Sequence, residues 1–221
     1  MPAATAAAPA PTESSGAHVP DEGLRARKKR ATRRALRLAA LSLVAEHGLA
    51  GVTVEEIAAA ADVSSRTFFN YFTGKEDALV GSDPDLAPSL AREITARPAH
   101  ETPLEALRAV FVHYCETVLI DEKIWRLRLK VIADHPVLLP SLLGVSAELE
   151  RTLTAAVAAR TGTDPDRNLY PSLVVNVAVA ASRTALQVCG AGGFTRPLAD
   201  MVSDVFDALV AGLPAPAADG G

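Results

Sequence analysis

The chain has 221 residues, 49% of them apolar, enough to bury a sizeable core in one compact unit or in a small module fused to a larger one. Alanine supplies much of that share, aromatics are only 5%, and β-branched residues do not alternate with polar ones, so composition speaks against sheet and predicts an all-α fold. The net charge of −4 would exclude a nucleic-acid partner if it were evenly spread, but it is not: residues 1–23 carry −3, residues 24–81 carry 10 Lys+Arg against 6 Asp+Glu (+4), and residues 82–221 carry 12 against 17 (−5).

In chain order, residues 1–22 are rich in Ala, Pro, Thr and Ser, with neither a basic start nor an apolar stretch, and are expected to be a disordered tail rather than a secretory signal. Eight basic residues then crowd together: Arg25, Arg27, Lys28, Lys29, Arg30, Arg33, Arg34 and Arg37. Behind them Leu36, Ala40, Leu43, Val44 and His47 recur at helical spacing as far as Gly48, which marks the first helix and its stop. A second, short helix is predicted over 53–62, where Thr53 has capping chemistry, Glu55 and Glu56 occupy the first turn, and Val54, Ile57, Ala58 and Ala61 share a face. Asp62-Val63-Ser64 reads as a tight connection, with Asp62 tolerating a left-handed backbone and Ser64 capping the next helix.

The third helix is predicted over about 65–72. Phe68 and Phe72, four apart, belong to the core, while Arg66 with Asn70 and Thr67 with Tyr71 pair on the remaining surface. Gly74 ends it and Lys75 opens a fourth helix. Beyond Gly81, Pro residues placed after Ser, Thr or Asp divide the body into helices at about 84–97, 103–120, 122–134, 137–161, 166–190 and 196–212, followed by a frayed tail over 214–221. The expected organisation is a helix-turn-helix module over 23–81 and a larger helical ligand-binding and dimerisation unit over 82–213.

Two short helices joined by a three- to four-residue turn, the second bearing Ser, Arg, Thr, Asn and Tyr, fit the major groove of duplex DNA. The run Thr53-Val-Glu-Glu-Ile-Ala-Ala-Ala-Ala-Asp-Val-Ser-Ser-Arg-Thr-Phe-Phe-Asn-Tyr-Phe-Thr-Gly-Lys-Glu-Asp-Ala-Leu79 resembles the signature of the TetR family of bacterial regulators over 27 consecutive positions. The resemblance implies a homodimer that grips a palindromic operator through the third helix, with C-terminal helices apposed at the dimer interface. By position it implies DNA contacts from Thr53, Ser65, Arg66, Thr67, Asn70, Tyr71 and Lys75. Arg30, Arg33, Ser64 and Phe69 complete the expected set; a basic run is ordinarily a solvated helix face, but its place just before a helix-turn-helix favours phosphate contact. The chain departs from the family pattern at Asp62 and Arg66, where Gly is common, and at Phe69, where Tyr is common, so its operator sequence is its own.

In the body, Phe111, Tyr114, Cys115, Trp125, Arg128 and Asn176 are candidate effector contacts, being large or polar side chains set among apolar ones. Asn176, with Arg183 and Gln187, equally suits a dimer seam. Val174, Val177, Ala178, Ala181 and Ala185, and then Met201, Val205, Phe206 and Leu209, form two stripes that pack either across a two-fold axis or within one subunit. Cys115 and Cys189 lack metal-site spacing, so neither a zinc site, a disulfide framework nor another cofactor is expected, and a reducing cytoplasm is the natural setting. The longest apolar stretch, Leu173 to Ala181, is broken by Asn176 and too short to span a bilayer. No metalloprotease, nucleophile-elbow, phosphate-loop or paired-carboxylate pattern supports an all-α enzyme. The function expected is a repressor released from its operator by a small molecule, with an activator, a helical interaction module or an enzyme as the alternatives.

Overall fold

The computed structural model describes residues 24–81, 83–117 and 122–214; the two expected tails, apart from Pro214, and the end of the helix expected over 103–120 lie outside the described residues. Among them the chain forms ten α-helices and no strand: α1 Leu24–His47, α2 Val54–Ala60, α3 Ser65–Phe69, α4 Lys75–Val80, α5 Leu86–Ala96, α6 Pro103–Thr117, α7 Glu122–Asp134, α8 Leu139–Thr161, α9 Leu169–Ala191 and α10 Leu198–Val210.

Most boundaries follow local chemistry visible in the sequence. Thr102 and Glu105 form a reciprocal capping box that starts α6, the Glu105 carboxylate accepting from the Thr102 amide at 2.7 Å. Two boundaries differ from expectation by three residues. α9 begins at Leu169 rather than 166 because Asp164 folds a turn of its own, accepting from the amides of Asp166 and Asn168, and the cap is the Asn168 side chain on the Tyr170 amide. α3 stops at Phe69, and residues 70–72 continue as a tightened turn in which the amides of Tyr71 and Phe72 both donate to the Phe68 carbonyl.

Two cores organise the chain. The first joins Leu36, Ala40, Leu41 and Val44 of α1 with Val52, Ile57, Ala58, Phe68, Phe72, Ala78, Leu79 and Val80, and it also takes in Val131 of α7 and Leu138. The head is therefore not closed by its own residues: α7 lies along α1 and shares its apolar face, so any tilt of α7 moves the head. The second core is built by α5, α6, α8, α9 and α10 around Leu107, Phe111, Leu153, Val175 and Phe206.

The second core decides between the two packings open to the C-terminal stripes. Val174, Ala178 and Ala185 are buried in their own subunit, and Phe206 is fully buried with its ring 6.1 Å from Phe111. Val177 of the expected stripe is instead exposed, and shares the outward face of α9 with Leu169, Leu173, Asn176, Arg183, Thr184, Gln187 and Val188. By length and composition α9 as a whole is long and apolar enough to cross a membrane, although the apolar run at 173–181 within it is not. One side of it packs on α8 and α10, and the other carries the polar residues just named.

Candidate nucleic-acid interface

The reading head is held in shape by three local devices. At the start of α2 the Thr53 hydroxyl accepts from the Glu56 amide at 3.2 Å, while the Glu56 carboxylate accepts from the Thr53 amide at 2.8 Å. Those bonds hold the Glu56 carboxyl below its ordinary range, so it stays ionised near the positive end of the helix. The second device is the turn between α2 and α3. Asp62 adopts φ 54°, the Val63 amide donates to the Ala58 carbonyl at 3.0 Å and the Asp62 amide to Ala59 at 3.1 Å, which together make a Schellman ending with Val63 folded back on the core.

Gly is the residue that adopts this left-handed conformation most readily, and here an Asp meets the same demand because its short polar side chain tolerates it. Asp62→Val puts a β-branched residue there and is expected to cost about 1–2 kcal/mol of stability. Urea denaturation checks this; an unchanged midpoint would mean that the turn has another conformation open to it.

The third device is α3 itself. The Ser64 hydroxyl accepts from the Thr67 amide at 3.1 Å and lies 2.9 Å from the Thr67 hydroxyl, so Ser64 caps the helix and Thr67 is tied to it. Phe68 is fully buried and Phe72 nearly so, their rings 5.5 Å apart, and they press one side of α3 onto the head. The opposite side presents Arg66, Asn70 and Phe69, the last 56% exposed. Ser65, Thr67 and Tyr71 are half-buried at the flanks of that face.

Arg33 and Lys75, expected at the DNA, turn inward. Arg33 stacks 4.6 Å from the Phe72 ring centre and both of its terminal nitrogens donate to the Tyr71 carbonyl at 2.9 Å, which braces the end of α3 against α1. The Lys75 ammonium donates to the carbonyls of Leu49 and Val52 at 2.7 and 3.0 Å, locking the start of α4 to the loop before α2. What Lys75 leaves facing outward is backbone: Gly74 caps α4 with no side-chain bond. Thr53 is exposed at the start of α2, and Arg30 is exposed on the basic first turns of α1.

The geometry is that of a short helix braced from behind and offered forward, and the comparisons with known proteins agree with it. Residues 36–80 match the description "Bacterial regulatory proteins, tetR family", and residues 101–214 match "MftR C-terminal domain". The HTH-type transcriptional regulator TcmR of Streptomyces glaucescens is 34% identical over 167 residues, 73% of this chain and 74% of that one. The chain belongs to the TetR family. It is a DNA-binding transcription regulator of a family that is regulatory rather than enzymatic.

Two solved structures share the fold. FadR of Thermus thermophilus, a TetR-family repressor in complex with lauroyl-CoA, is 22% identical at a TM-score of 0.52, covering 86% of this chain and 98% of that one. NalD of Pseudomonas aeruginosa, the secondary repressor of the MexAB-OprM multidrug efflux pump, is 16% identical at a TM-score of 0.56, covering 83% and 97%.

The body residues singled out in the sequence do not form one group. Tyr114 of α6 and Arg128 of α7 lie near one another close to the end of α4, with Trp125 beneath the Arg128 guanidinium at 5.6 Å. Cys115 is half-buried next along α6, and burial pushes its thiol up to about 11, leaving it protonated and unreactive. Phe111 is packed in the second core, and Asn176 lies on the exposed face of α9. Sequence reasoning missed Arg37 as a junction residue: the basic run hid it, although its spacing on the face of Leu36 and Ala40 marks it as inward. It donates to the Gly81 carbonyl at the end of α4.

Proposed function

We propose that this regulator is a homodimeric repressor acting in the cytoplasm, that its two α3 helices enter successive major grooves of a palindromic operator, and that a small-molecule effector in the body releases it. One observation carries the reading: α3 is buried on its Phe68 side and leaves Arg66, Phe69 and Asn70 facing away from the protein. Arg66 and Asn70 suit base edges, Ser65, Thr67 and Tyr71 the flanking backbone, and Phe69 an apolar contact with a thymine methyl or sugar. Arg30 and its neighbours on α1, Thr53, and the Lys75 amide suit phosphates, while Ser64 and Arg33 position α3.

The head over 23–81 serves recognition and the unit over 82–213 serves dimerisation and sensing. For the dimer, the exposed stripe of α9, with Leu169, Leu173 and Val177 at one end and Arg183 and Gln187 at the other, supports a two-fold contact better than the buried stripes of α9 and α10. Half-sites sit about 34 Å apart on DNA, so a small tilt of α7, which shares the head's core, is enough to misplace the two heads. Titrating salt against binding to DNA that flanks the chain's own gene tests the reading. A steep loss of affinity with salt is expected from phosphate contact, and binding that ignores both salt and DNA sequence would refute it.

A further inference from the structure

The junction of head and body gathers more hydrogen-bond donors than acceptors. Arg128 of α7 donates once, to the carbonyl of Val80 at 2.8 Å, and no ion pair joins it to a carboxylate among the described residues. Burial and the nearby Arg37 push its guanidinium down to about 10, still a cation at neutral pH. Arg37 of α1 reaches the adjoining carbonyl of Gly81, and its Nε is buried with no acceptor, as is the indole Nε1 of Trp125. Tyr114 lies close enough to feel both arginines, and burial, its main influence, keeps its phenol protonated.

The acidic groups nearest this cluster face Arg37 rather than Arg128. Asp77 and Asp83 act on Arg37, and each already accepts from a neighbouring amide, Asp77 from Thr73 at 2.9 Å and Asp83 from Asp85 at 3.1 Å. Arg128 itself therefore has no carboxylate partner among the described residues and lies beside an aromatic ring. A half-buried cation without a counter-ion, beside two buried donors without acceptors, is what oxygen acceptors bearing a single negative charge would satisfy.

We propose that this junction takes a carboxylate-bearing effector, with Arg128 and Arg37 holding the carboxylate and Trp125 and Tyr114 bordering its apolar part. The assignment rests on the effector-released repressor described above and names the chemical class of that effector. A carboxylate is a stronger acceptor for a guanidinium than a neutral carbonyl. Its arrival draws Arg128 from Val80, the last residue of α4, and loosens the link between α7 and the head.

The chain's one tryptophan is Trp125, so it reports on the site directly. Fluorescence of the full chain is titrated with benzoate and with decanoate, each against its own amide, and with sulfate at matched ionic strength. A saturable change is expected with a carboxylate, with its amide and sulfate inactive. Arg128→Gln, which keeps a donor for Val80 but loses the charge, is expected to weaken the response ten-fold or more. Equal responses to acid and amide, a response to sulfate, or no saturable response to either carboxylate up to its solubility limit would overturn the proposal. If Arg128→Gln does not fold, the acid and amide comparison on the unaltered chain decides alone. No DNA enters the readout, so a chain that binds no operator would sink the proposed function without producing any of these results.

Discussion

Arg66→Ala is expected to lower operator affinity by ten-fold or more while leaving the melting temperature where it was. Arg66 is exposed on α3 with no hydrogen bond or ion pair among the described residues, so removing it takes nothing from the fold. A guanidinium placed on a guanine edge contributes about 1–3 kcal/mol of discrimination, and a dimer presents the side chain twice. Arg66→Lys keeps the charge but not the planar fork, so it should restore non-specific binding more than specific binding. Fluorescence anisotropy on specific and scrambled DNA separates the two. A variant that binds its operator as tightly as the parent would remove Arg66 from the interface.

Phe68→Ala is expected to abolish DNA binding by the opposite route, through the fold. Phe68 is fully buried among α1, α2 and α4 and touches the rings of Phe69 and Phe72 at 5.5 Å. Deleting such a ring costs about 3–5 kcal/mol, a large share of the about 5–15 kcal/mol that keeps a domain folded. Because Val131 of α7 belongs to the same core, the loss should reach the body and appear as a lowered melting temperature of the whole chain. A variant with unchanged melting would mean that the ring is not where α3 gains its support. The two substitutions sit two residues apart and separate reading from scaffolding: Arg66→Ala costs binding alone, Phe68→Ala costs both.

Much of this was legible in the sequence because it is written in short-range chemistry. Capping residues at Thr53, Ser64 and Thr102, the stop at Gly48 and the inward pair Phe68 and Phe72 act within a few residues of themselves, and the structure shows each in that role. Where Asp164 could serve either as a cap or as a turn, local pattern did not decide, and α9 starts three residues later than expected.

What depends on distant contacts was not legible. Nothing near Arg33 says that its partner is the carbonyl of Tyr71, 38 residues away, and nothing near Lys75 points to Leu49 and Val52. Charge marks such residues as candidates for phosphate, while the fold turns them to bracing. The stripes of α9 and α10 illustrate the same limit: helical periodicity finds an apolar face but not what covers it, and Phe111 meeting Phe206 settles that for the inner stripe. The split of the chain at residue 81 likewise follows charge and composition, whereas the first core runs across it into α7.

The most direct measurement is guanine-N7 methylation interference on operators selected by the full chain from random duplex DNA. Two interfering clusters on a palindrome, centred about one helical turn apart and lost with Arg66→Ala, are the result predicted for paired α3 helices in successive major grooves. Selection of no common sequence, or a selected sequence in which methylation of guanine N7 does not interfere, would contradict the claim that α3 is the part of this protein that reads DNA.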